Sequence, residues 1–220
     1  MQYIILLHGL GSNKFLMFPL QKYLEKQHKN FIILNYQFNS IFQNISNICD
    51  TLIKKIKKDT KNATNIIFIG HSLGGLISFQ LAEYFSHIYK VSCITLGTPY
   101  RGAYLANFFR MCIPLLDKIS PILHNLSRNG IFQHQVTNVH HHVIIGTRKI
   151  DIFNPISWIT NTILLPFDHH DGVVELFSSD FDHLKNKTLY FTDCDHVHMI
   201  FDSTTNKLLS QIILHIVDQI

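Results

Sequence analysis

The chain has 220 residues, 46% of them hydrophobic and 15% charged, and its 19 Lys and Arg against 15 Asp and Glu leave a net charge of +4. That balance excludes a disordered chain and allows one sizeable core, with residues 1–220 read as a single domain. No Arg-rich run with interleaved aromatics points to nucleic acid, and no stretch approaches the roughly 18 apolar residues of a membrane helix.

Residues 2–7 (Gln-Tyr-Ile-Ile-Leu-Leu) lack a basic stretch ahead of them and meet His8-Gly9 at once, so they predict a core strand rather than a leader, and a cytoplasmic protein. His8-Gly9-Leu10-Gly11-Ser12 is a glycine-rich loop, and a helix is expected to begin near Phe15. A second strand is predicted at 31–36. Ser40 followed by Gln43 forms a capping-box pattern, and Ile41, Ile45, Ile48, Leu52 and Ile56 recur at helical spacing behind it. The lysines of 22–29 and 54–61 read as solvated helix faces, with anionic membrane contact as the lesser alternative.

Further strands are predicted at 65–70, 91–96, 142–146 and 187–192, each nearly all apolar, as strands buried on both faces are. Ser203 is placed as the cap of a last helix whose Leu208, Leu209, Ile212, Ile213 and Ile216 line one face. Strands alternating with amphipathic helices predict an α/β fold with a mostly parallel six-stranded sheet and helices on both faces. Two regions break the alternation. Residues 103–135 are cut by Pro114 and Pro121, and 147–170 is a long connection carrying Pro155, Trp158 and Pro166, so both are expected as cap-like segments. Cys49, Cys93, Cys112 and Cys194 are scattered without a C-x-x-C pair and predict buried thiols rather than a disulfide frame or zinc site.

Chemistry concentrates in Gly70-His71-Ser72-Leu73-Gly74, a G-x-S-x-G pattern set between a strand and a helix. A serine on that tight turn is lifted above the sheet edge, with small neighbours giving clearance, and becomes a candidate nucleophile. It needs a base, and the base needs a group to orient it. Asp171, beside Gly172, is the chosen acid, with Asp168 and Asp151 as alternatives. His196 is the chosen base because it follows the last strand first, with His198 as the alternative. The main-chain N–H groups of Leu10 and of Leu73, the residue after the serine, are the expected oxyanion donors. The many histidines include no helical H-x-x-x-H pair beside an acid, so no metal site is expected.

With these segments and Leu96-Gly97-Thr98-Pro99-Tyr100-Arg101-Gly102, the chain resembles the lipase and esterase branch of the α/β-hydrolase superfamily. The 97–102 stretch is similar to that of small bacterial lipase-like hydrolases and of enzymes that deacylate glycolipid anchors. The resemblance implies an ester hydrolase working through an acyl-serine without a cofactor, on a small-molecule or lipid ester. Because the chain starts at the oxyanion-loop strand, a minimal version of the fold is expected. Phe108, Phe109, Leu115, Leu116, Ile122, Trp158, Leu164 and Phe167 are candidates for an acyl pocket or lid, or else merely complete the core. Thioesterase, amidase or acyltransferase chemistry would use the same groups, and a catalytically silent lipid-binding or interaction module is the reading from another class.

Overall fold

The computed structural model describes residues 1–112, 120–126, 139–149, 160, 162–164, 169–179 and 186–219. Six strands, β1 (Gln2–Leu7), β2 (Phe31–Tyr36), β3 (Asn65–His71), β4 (Lys90–Leu96), β5 (His140–Gly146) and β6 (Lys187–Thr192), form one sheet in the order β2-β1-β3-β4-β5-β6. Every pairing is parallel. The fold class read from the alternation is thus met, with strand bounds close to those expected.

Side chains alternate across the sheet, as the two-residue period of a strand requires. Tyr3, Ile5, Leu7, Phe68 and Cys93 face one core layer, packed with α2 (Ile45–Asp59) and α3 (Leu73–Ser86). Ile4, Leu6, Ile67, Ile69, Ile94 and Leu96 face the other, closed by α1 (Phe18–Gln27) and α7 (Ser203–Asp218). β1 and β3 are buried almost throughout, but β2 and β6 are not. These two are the edge strands, so the expectation of burial on both faces fails for them: each has a neighbour on one side only.

Between β4 and β6 lie α4 (Tyr104–Cys112), α5 (Pro121–Leu126) and the short α6 (Leu176–Ser179). Pro114 and all of 127–135 lie outside the described residues, as do Asp151, Pro155, Trp158, Pro166 and Asp168.

Three helix starts differ from the sequence reading because side-chain acceptors compete for the first N–H groups. α2 is capped by Asn44, which accepts from Asn47 N–H at 2.8 Å, and not by Ser40. Upstream, Asn39 takes the N–H groups of Ile41 and Phe42 into its own turn. α7 is capped by Asp202 rather than Ser203: its carboxylate accepts from Thr205 N–H at 2.7 Å and carries the charge a helix N-terminus favours. α1 starts at Phe18, since Asn13 first binds Phe15 N–H and holds a tight turn there. Cys49, Cys93 and Cys194 are buried, but Cys112 at the end of α4 is exposed, contrary to expectation. Among the described residues no helix is long and apolar enough to cross a membrane.

Candidate active site

Ser72 sits between the last residue of β3 and the first of α3 with φ 55° and ψ −122°. Among the described residues it is the only non-glycine at positive φ. Such a conformation costs on the order of 1–3 kcal/mol and persists only where its surroundings fix it. Here Ser72 N–H donates to Leu96 O at 2.8 Å, and Ser72 O accepts from Gly75 N–H at 2.9 Å and from Thr98 Oγ1 at 3.2 Å. The turn packs hard on the sheet. A Cβ at Gly74 would strike the carbonyl oxygens of Leu7 and His8.

Leu73 is the first residue of α3, so its N–H belongs to the opening turn that has no intrahelical acceptor. Its side chain is buried in the core. Leu10 lies on the loop after β1. That loop is fixed by His8, whose Nδ1–H donates to Gly9 O at 3.0 Å while Nε2 accepts from Phe38 N–H at 3.4 Å. The ring stacks on Phe38 with centroids 4.0 Å apart, and burial lowers its pKa, keeping it neutral.

Asp171 is buried, and its carboxylate is fully used. Oδ1 accepts from Val173 N–H at 3.0 Å and Val174 N–H at 2.8 Å, in a turn completed by Gly172 at φ 93°. Oδ2 accepts from His196 Nδ1–H at 2.7 Å, and Asp171 O accepts from His196 N–H at 2.9 Å. His196 is thereby held by side chain and main chain at once, leaving Nε2 as its open nitrogen. The alternative His198 is paired elsewhere: its Nδ1–H donates to Asp195 Oδ2 at 2.6 Å. Asp195 Oδ1 accepts the N–H groups of Val197 and His198, which fixes the turn carrying both histidines.

Ser72 and His196 line one cavity of about 320 Å³ with Leu10, Leu16, Ala103, Leu105, Leu123, Leu126, Val173 and Val174. Its wall is almost wholly apolar apart from Ser12, His71, Ser72, Thr160 and His196. A larger groove of about 530 Å³ lies past the β1 loop, against Ser12, Gln37, Asn39, Gln43 and Lys55, and touches neither Ser72 nor His196. Of the residues expected in a pocket, a lid or the core, the three whose side chains are described do not line this cavity. Ile122 and Leu164 are fully buried, and Phe108 stands off the cavity. The side chains of Phe109, Leu115, Leu116, Trp158 and Phe167 lie outside the described set.

Three contributors were not singled out from sequence. Gly97, at φ +56°, backs onto the His196–Asp171 pair: a Cβ there would stand 2.9 Å from Nδ1 and 3.0 Å from Oδ2. His71 donates Nε2–H to His196 O at 2.8 Å, tying the end of β3, next to Ser72, to His196. Burial first, then the neighbouring His196, pushes its pKa down to about 3. Glu175, fully buried, accepts from Tyr104 N–H at 3.1 Å and so binds the start of α4 to the Asp171 turn. Gly97 and His71 both lay inside quoted motifs, but their contacts with His196 span the fold and leave no local signal. Among the described residues no cluster could hold a metal ion.

The chain is similar to several known proteins. Palmitoyl-protein thioesterase 3 of Dictyostelium discoideum is 26% identical over 121 residues, which are 53% of this chain and 41% of that protein, well under two thirds of the relative's length. The metagenomic carboxyl esterase MGS0156 superimposes with a TM-score of 0.80 at 14% identity, over 99% of this chain and 76% of that one. The mature lipase BlEst2 of Bacillus licheniformis does so with a TM-score of 0.74 at 17% identity, over 97% and 90%. At those identities the likeness establishes the fold, the α/β-hydrolase fold of lipases and esterases. Residues 1–191, a span that holds Ser72 and Asp171 and stops just before His196, match a family model, and the chain therefore belongs to the family described as "Putative serine esterase (DUF676)".

Proposed function

We propose that this serine esterase cleaves carboxylic esters with an apolar acyl group, with Ser72, His196 and Asp171 as its catalytic residues. The observation that carries the reading is the buried His196–Asp171 pair opening onto the same apolar cavity as the strained Ser72.

Asp171 holds the imidazole with its proton on Nδ1, so Nε2 takes the Ser72 proton as Oγ attacks the ester carbonyl. Charge on the carbonyl oxygen is met by the N–H groups of Leu10 and Leu73, the second standing at the positive end of α3. The imidazolium then returns its proton to the departing alcohol. Water, activated by the same nitrogen, hydrolyses the acyl-serine and restores the enzyme. The acyl chain lies in the apolar cavity, under cap-like segments that include α5 and α4, the start of the latter anchored by Glu175 to the turn of Asp171.

A panel of p-nitrophenyl esters of rising chain length, with phospholipids and acyl-CoA beside it, tests the reading. Wild type is expected to turn over apolar esters with a burst of p-nitrophenol. Ser72→Ala is expected to show no burst, and a full burst from that variant overturns the assignment. A preference for thioesters has one specific support, the thioesterase name of the Dictyostelium relative. Faster turnover of acyl-CoA than of the matched oxygen ester would favour it.

A further inference from the structure

We infer that the loops following β1 and β2 form a docking surface for an anionic lipid bilayer, at the mouth of the apolar cavity. Both loops leave the carboxyl ends of their strands, the sheet edge at which Ser72 stands at the end of β3. They are joined to each other: Lys14 N–H donates to Gln37 Oε1 at 2.7 Å, and Asn35 Nδ2–H donates to Lys14 O at 2.9 Å.

The joined surface displays apolar side chains that a folded chain ordinarily covers. Phe15 is 72% exposed, Phe42 60%, Phe18 48%, and Leu10 and Ile41 38% each. The remaining large exposed residues, among them Ile32, Tyr84, Phe191 and Leu214, lie on different elements. Scattered single residues need no explanation, whereas a group rimming a site marks a contact surface.

Two features favour a lipid surface of negative charge over a protein partner. The first is charge. The two loops, residues 8–17 and 37–44, carry Lys14 and no acidic residue, and Lys22, in the first turns of α1 beside them, is bonded to Glu25 at 2.7 Å. The ammonium groups of Lys14 and Lys22 stand over the rings of Phe15 and Phe18, at 5.7 and 5.3 Å from the centroids. A cation riding on an aromatic ring suits an interface where the ring enters the acyl region and the charge meets the headgroups. The second is continuity. Leu10 and Leu16 belong both to this loop and to the cavity wall, so an acyl chain drawn from the bilayer reaches Ser72 along apolar surface.

Flotation of the full chain with vesicles tests this by binding alone, separately from ester chemistry. Wild type is expected to float with phosphatidylcholine vesicles containing phosphatidylglycerol, and weakly with phosphatidylcholine alone. Phe15→Ser with Phe42→Ser is expected to lower binding at least about tenfold. Lys14→Glu should lower it at least about fivefold at low salt and less at high salt, the scale of one lysine at an anionic surface. Melting curves and hydrolysis of soluble p-nitrophenyl butyrate should stay at wild-type values in these variants. Should the double variant fold poorly, Phe42→Ser and Lys14→Glu singly still decide the matter. Equal flotation of wild type and variants overturns the inference. So does a wild type that fails to float and instead forms a dimer that Phe42→Ser dissociates, since the surface would then serve a second copy.

Discussion

His196 and His198 stand in the same turn, and each is held through Nδ1 by an aspartate, at 2.7 Å to Asp171 and 2.6 Å to Asp195. Geometry of the pair alone does not separate them. Their settings do. The His196 pair joins two distant segments, is buried on both sides and borders the cavity that holds Ser72. The His198 pair is local, its histidine side chain is 37% exposed, and it stands off that cavity. A histidine–aspartate hydrogen bond is therefore no mark of a base. The setting separates them: His196 is buried and lines the cavity that holds Ser72, whereas Asp195 builds the turn on which His196 rides.

Substitutions should separate the pairs widely. His196→Ala is expected to lower kcat/KM by about 10⁵-fold or more, because it removes the proton acceptor that makes the serine a nucleophile. Asp171→Asn should cost about 10⁴-fold, since an amide leaves the imidazole in the wrong tautomer while preserving shape. Steady-state kinetics on a soluble ester checks both, and a loss below tenfold for either would erase the distinction drawn here.

Gly97→Ala probes the same pair from behind. The added Cβ meets Nδ1 and Oδ2 at a backbone φ of +56°, so it should displace the imidazole. A shift of that kind is expected to lower kcat about 100-fold, with KM nearly unchanged.

A third class of histidine sharpens the contrast. His71 and His141 are buried without a carboxylate partner, and burial pushes both pKa values down to about 3 from 6.5. As pH falls below 6.5 the unfolded chain takes up these protons and the folded chain does not. Each residue's stability contribution is thus present above pH 6.5 and lost toward pH 3, at about 1.4 kcal/mol per pH unit. His141→Leu, against Phe79 in the core, should remove one such share. Urea unfolding at pH 7, 6 and 5 checks it, and an unchanged slope would contradict it. The smallest effect is reserved for His198→Ala. Catalysis should fall by less than about tenfold, and stability by roughly 1–2 kcal/mol from the unmatched Asp195 carboxylate.

The sheet was legible because its central strands are β-branched apolar runs, and such runs have few other uses in a chain of this composition. Edge from centre was legible only in part: β6 carries Lys187, Thr188 and Thr192, but β2 is as apolar as β1, and pairing order is what exposes it as an edge. The serine turn could be read because its glycines are required by local geometry. The acid and base candidates could be narrowed by chain order, but burial of Asp171 and the hold on His196 arise from contacts 25 residues apart. Helix caps were misplaced where an amide or carboxylate outcompeted a serine hydroxyl, at Asn44 and Asp202. Of the expected pocket or core residues, Ile122 and Leu164 fall in the core, while the cavity takes Leu105, Leu123 and Leu126 from the same apolar segment, whose inward face no long periodicity records.

The most direct measurement is mass-spectrometric mapping of a fluorophosphonate adduct, with labelling rates for the variants of both histidines. The adduct is expected on Ser72, formed at near wild-type rate in His198→Ala and at a small fraction of it in His196→Ala. An adduct on another residue, or equal slowing by the two substitutions, would contradict the account.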